Sequence, residues 1–210
     1  MRARVYSLGQ ALTGGPPLPG PLARIHADPA LPVLAGELES IAAITAGVAA
    51  CLRDPEALKA AEEDYARLYV GPQALPAPLW ESVYRDPEHI LFGQATLAVR
   101  AFYARHGFVF AERGTQPDDH ISLELEFMWH LTVLSGKALE ETEPDMARFT
   151  SLCAAQADFL ETHLLQWAPQ SFTLQLPHAE TGLYAGLARL ITEFIPCDAA
   201  CIGEISHERE

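Results

Sequence analysis

Apolar residues along most of the chain recur at spacings of three and four, which is the period of one helix face. The pattern is densest between Ile121 and Leu134. At about 100° per residue, Leu123, Phe127, Leu131 and Leu134 form one stripe, with Ile121, Leu125, Met128 and Trp129 beside it. A helix that is apolar on nearly every side sits inside a bundle rather than on its surface. The polar turn Pro117-Asp118-Asp119-His120 heads this helix, and Gly136 is its expected end.

Other segments read as helices around it. Leu34, Leu38, Ile41, Thr45, Val48 and Leu52 form a single stripe. Asp54 then caps a helix with Pro55 at its first position, where no N–H is needed. That helix carries Leu58, Tyr65, Leu68 and Tyr69 towards Gly71-Pro72. Phe92 to His106 reads as a further helix, with Gly107 as its C-cap. After an acidic turn from Glu140 to Asp145, a long helix bears Met146, Phe149, Cys153, Leu160, Leu164 and Trp167 and closes at Pro169. Phe172, Leu174 and Leu176 alternate as either a strand or an irregular turn. Leu183, Leu187, Leu190, Ile191 and Phe194 mark a last helix, stopped by Pro196. With no repeat and no hairpin series, the expected class is all-α: a single-domain bundle around a buried central helix at about 118–135.

Three stretches depart from helical spacing. Residues 1–32 contain Gly14-Gly15-Pro16-Pro17, Pro19-Gly20-Pro21, Pro29 and Pro32, and predict an irregular arm. The domain proper then spans 33–196, and 197–210 reads as a polar tail. The third stretch, GPQALPAPLWESVYRDPEH at 70–88 and just beyond, is broken by Pro72, Pro76, Pro78 and Pro87. It nevertheless holds Leu75, Leu79, Trp80, Val83 and Tyr84. A stiff loop this apolar packs on the core or on a ligand.

Charge narrows the partners. Fourteen Lys and Arg stand against 28 Asp and Glu, a net charge of −14. Such a surface repels phosphate backbones, which argues against nucleic acid, and attracts a basic peptide. Cys51 and Cys153 fall in apolar helical patterns, and four cysteines in 210 residues make no disulfide framework. That suits a reducing compartment. No secretory signal pattern and no apolar run of about 18 residues is present, so cytoplasm is expected and stable membrane insertion is not.

Known catalytic signatures are missing: no GxxxxGK[ST], GxGxxG, HExxH or GxSxG occurs. Glu204-x-x-His207 is one copy of a di-iron motif that needs two, and Cys197 with Cys201 supplies only two metal ligands. Neither metal nor cofactor is expected. His120 and Glu124 share a helix face, as do Glu126 and His130. Glu124 falls between Leu131 and Met128 on the wheel, so it is expected to be partly buried and to need a partner: His120, Arg100 or Arg105. One reading is structural, with Asp118 or Asp119 as helix cap and Glu124 in a core ion pair. The alternative is a helical enzyme with His120 and Glu124 as an acid–base pair. No nucleophile or oxyanion site accompanies them, so the chain is expected not to be an enzyme.

The segment GPQALPAPLWESVYRDPEHILFGQATLAVRAFYARHGFVF followed by QPDDHISLELEFMWHL resembles the TorD/DmsD family of redox-enzyme maturation chaperones. FLETHLLQWAP and LYAGLARLITEF look like that family's C-terminal helices, and the likeness runs from about Ala61 to Phe194. It implies an all-helical, non-catalytic fold, either monomeric or a domain-swapped dimer. It also implies that the protein binds the twin-arginine signal peptide of a molybdoenzyme precursor of the dimethyl sulfoxide or trimethylamine N-oxide reductase type until its cofactor is inserted. Family-implicated positions fall on Asp119, His120 and Trp80 with its loop. Gln73 departs from the aromatic many relatives place after Gly-Pro, and Tyr84 stands where some have Trp. A cationic pair followed by an apolar segment calls for carboxylates beside an apolar groove. Asp118, Asp119 and Glu124 are expected to supply the charge, with His120 beside them, and Leu75, Trp80 and Tyr84 the groove. A structural assembly subunit of an anaerobic oxidoreductase is the remaining alternative.

Overall fold

A computed structural model describes residues 1–72, 74–86, 91–109 and 117–207. Gln73, Pro87 and most of the link before the central helix lie outside these. So do the side chain of His207 and with it the Glu204-x-x-His207 spacing.

The first 32 residues are not an irregular arm. They hold α1 (Arg2–Thr13), α2 (Pro19–His26) and the start of α3 (Leu31–Glu37). The Pro/Gly clusters fall between these helices or at their first positions, where proline favours initiation. Val5, Tyr6, Leu8 and Leu12 of α1 are buried. At Gly9 a Cβ would come within 2.9 Å of Leu125 Cδ1, so the missing side chain lets α1 lie close on the central helix.

The stripe predicted from Leu34 to Leu52 divides at Leu38, whose extended backbone separates α3 from α4 (Glu39–Arg53). α5 (Pro55–Tyr69) starts as expected, with Asp54 accepting from Glu56 N at 3.0 Å. After the loop come α6 (Glu81–Arg85) and α7 (Gln94–Arg105), and then α8 (Ile121–Glu140). α8 is the predicted central helix, but it runs through Gly136, because Ala138 is buried beyond it and one interior glycine costs only about 1 kcal/mol. It is also not buried all round: Trp129 is 38% exposed.

Two prolines expected to end helices do not. α9 (Met146–Phe159) passes through a π turn (Leu160–Leu164) into α10 (Leu165–Gln175), which contains Pro169 and absorbs Phe172 and Leu174. The strand-or-turn expectation there is overturned. α11 (Gly182–His207) continues past Pro196, so the expected polar tail is largely helical. An interior proline costs about 3 kcal/mol. Burial of Ile195, Asp198 and Ile202 around it offsets that cost. α8 packs between α1 and α9, and α11 packs on α4, α9 and α10, so two long helices share the centre. The all-α expectation holds, and helix capping and apolar periodicity explain most of it.

Candidate functional site

The proline-stiffened loop and the head of α8 are joined through the backbone. Trp80 and His120 form an isolated antiparallel bridge. Ile121 N donates to Leu79 O at 2.9 Å and Glu81 N to Asp119 O at 3.1 Å. Side chains alternate across such an extended pair. Leu79 and Glu81 are buried, while Trp80 is half-buried and meets the His120 ring edge-on at 5.2 Å.

Asp119 is buried and accepts from Ser82 N at 2.8 Å, capping α6, and from Thr96 Oγ1 at 2.7 Å, holding α7. His120 caps α8: its Nδ1 accepts from Ser122 N at 3.2 Å and lies 2.8 Å from Ser122 Oγ. Burial lowers the His120 pKa to about 4 against the opposing pull of Asp119, so the ring is neutral near pH 7. Asp118 alone of the three candidate carboxylates reaches solvent. It accepts from Arg100 Nε at 2.7 Å, and its backbone carbonyl accepts from the Tyr103 hydroxyl at 3.1 Å.

Glu124 is fully buried, more than the partial burial expected, and its partner is Trp167, whose Nε1 donates to Oε2 at 3.3 Å. Arg100 belongs to Asp118, and Arg105 lies over the Phe102 ring. Burial first, then Glu81 and Asp119, raise the Glu124 pKa well above the ordinary carboxylate value, which favours its protonated form. Among the described residues the side chains of His120 and Glu124 share no hydrogen bond: His120 Nδ1 is bonded to Ser122 and Glu124 Oε2 to Trp167.

Tyr84 stacks on Trp167 at 5.5 Å and donates to Pro78 O at 3.0 Å, with Ser171 Oγ 2.9 Å away. Burial pushes its hydroxyl up to about 12. Leu75 is half-buried in the loop five residues before the bridge. The structure thus brings Trp80, Asp118, Asp119 and His120 together. Beneath them lies Glu124, bonded to Trp167, against which half-buried Tyr84 stacks. The burial of Asp119 and Glu124 corrects the expectation that they supply charge directly to a ligand.

Sequence reasoning missed the support below. Glu81 is buried, paired with Arg85, and 3.0 Å from His163 Nδ1. Arg85 also donates to Thr162 O at 2.7 Å. His163 and Thr162 belong to the π turn, a local irregularity that apolar periodicity does not reveal. Glu81 next to Trp80 was the one visible signal, a carboxylate inside an otherwise apolar loop. Among the described residues no group of three or more His, Cys, Asp or Glu side chains is placed to hold a metal, and Cys197 and Cys201 are exposed free thiols. No described helix is long and apolar enough to cross a membrane.

Residues 34–173 match the family model described as nitrate reductase delta subunit, and the chain belongs to that family. It is 36% identical over 129 residues to the Haemophilus influenzae protein named "Probable Tat proofreading chaperone DmsD", covering 61% of this chain and 55% of that one. It is 30% identical over 145 residues to the chaperone protein TorD of Vibrio cholerae, covering 69% and 63%. The chain thus matches less than two thirds of the length of either. A candidate redox enzyme maturation protein from Archaeoglobus fulgidus shares the fold, with TM-score 0.53, 21% identity, and 93% and 94% of the two chains covered. The TorD/DmsD resemblance read from the motifs is borne out.

Proposed function

We propose that this chain is a non-catalytic cytoplasmic chaperone. It binds the twin-arginine signal peptide of a molybdoenzyme precursor and holds the precursor until its cofactor is inserted. The relatives named as Tat proofreading and TorD chaperones support this reading. The observation that carries it is the Trp80–His120 bridge, which joins an aromatic loop to an acidic helix head. The seven candidate residues divide by burial. Asp118, Leu75, Trp80 and Tyr84 supply the contact face, with Asp118 exchanging Arg100 for a leader arginine. Asp119, His120 and Glu124 fix the geometry behind it. An exposed guanidinium–carboxylate pair is worth only about 0–1 kcal/mol, so exchange is cheap.

A second client type, of the nitrate reductase kind, is favoured by the description of the family itself. Both readings face one experiment. The chain is co-expressed with tagged precursors of the dimethyl sulfoxide, trimethylamine N-oxide and nitrate reductase types, each with its leader or with the arginine pair changed to lysines. Capture of one precursor with its leader uncleaved, lost in the lysine version, is expected. Capture that ignores the arginine pair would rule the reading out.

A further inference from the structure

Among the described residues Phe92 is the only non-glycine with positive φ, 63°, and it is 63% exposed. For a bulky L residue that backbone region is unfavourable, and an exposed ring gains no burial in return. Glycine would satisfy the turn without strain. The turn itself is pinned. The next residue, Gly93, has no room for a Cβ because the Asp86 carboxylate lies against it. Asp86 is buried and accepts from Ala95 N at 3.1 Å, capping α7. One turn on, Thr96 is bonded to Asp119. Phe92 is therefore held out at a fixed place, fastened to α7 by Asp86 and, through Thr96, to Asp119, the carboxylate that joins the loop to α8.

Its neighbours extend an apolar edge. Leu91 is 40% exposed and Leu97 51%. Leu97 lies three residues before Arg100, so the two share a helix face. Arg100 ends at Asp118, the one solvent-facing carboxylate among the three candidates. Exposed apolar surface thus leads directly to an exchangeable cation position, the order of features in a peptide whose arginine pair precedes an apolar segment.

We infer that Phe92, flanked by Leu91 and Leu97, is the subsite for the apolar segment following the arginine pair, and a determinant of which leader is accepted. This rests on the chaperone reading. The probes are a synthetic peptide with the captured precursor's leader sequence and a copy truncated just after the arginine pair. Both are titrated against wild type, Phe92→Gly and Phe92→Leu. Phe92→Gly is expected to keep or raise the melting temperature, because strain is relieved. It should lose affinity for the full leader on the order of tenfold, with Phe92→Leu in between and all three equal on the truncated copy. Wild-type affinity of Phe92→Gly for the full leader overturns the subsite alone. Equal loss on both peptides does so too, since Phe92 would then act through loop shape. A wild-type chain that binds neither peptide overturns the chaperone reading and the subsite with it.

Discussion

Two buried carboxylates at opposite ends of the fold are treated differently. Asp198 of α11 receives two bonds from the Arg2 guanidinium and one from the Tyr6 hydroxyl, at 2.5 Å. It ties the first helix to the last with every partner in place. Glu124 of α8 has one long bond, from Trp167, while its Oε1 has no protein partner. Trp80 Nε1 and Ser82 Oγ, in the adjoining loop and α6, are likewise buried without a partner. An unsatisfied buried polar group costs about 1–3 kcal/mol. The Asp198 cluster is thus built for stability, whereas the loop–helix junction holds three of the five buried side-chain atoms without a partner among the described residues, the others being Ser40 Oγ and the Tyr184 hydroxyl. Departures of this kind are expected where a surface is shaped for binding rather than for the fold alone.

The largest expected effect breaks the satisfied end. Asp198→Ala strands a mostly buried guanidinium and the Tyr6 hydroxyl, and should cost about 3 kcal/mol in chemical denaturation. Leader affinity in the folded fraction should not change.

The next effect belongs to His120. Its folded pKa is depressed from 6.5 to about 4 by burial. The neutral ring therefore contributes stability that is fully present above pH 6.5 and is lost as pH falls towards 4. The loss amounts to on the order of 3 kcal/mol. His120→Asn retains a capping side chain and should flatten that acid limb in pH-dependent urea melts.

Glu124 has the opposite sign. Its folded pKa is raised, so the protonated carboxyl's contribution is complete below about 4.5 and is lost as pH rises through the folded value. Stability measured across that range should show Glu124→Gln pulling ahead of wild type as pH rises. A constant gap would mean that Glu124 does not titrate there.

Smallest of all, Leu75→Ala should change stability by less than about 1 kcal/mol, since the side chain is half-buried in a loop. It should nevertheless weaken leader binding measurably in the same titration that serves Phe92.

How much of this was legible in the sequence follows from how far apart the interacting residues lie. Asp54-Pro55 capping and the α8 stripes are local, and periodicity found them. Residues 1–32 failed because prolines that initiate α2 and α3 look the same in sequence as prolines that break structure. Pro169 and Pro196 failed because tertiary burial overrode a local penalty. At the site, the pairing of Trp80 with His120 was reachable from the family pattern. The roles of Asp119 and Glu124 were not: their partners Ser82, Thr96 and Trp167 lie 23 to 43 residues away. The π turn that delivers His163 to Glu81 leaves no mark in apolar spacing.

The contrast between the two ends reduces to where a leader lies. A photo-reactive residue placed directly after the arginine pair of the captured leader, cross-linked to the folded chain and mapped by mass spectrometry, reads that position. Cross-links should concentrate in 75–85 and 91–100 around Trp80 and Phe92, and a lysine-pair leader should abolish them. Cross-links to α1 or α11 near Asp198, with the Trp80 loop unlabelled, would contradict the assignment of the loop–helix junction as the binding site.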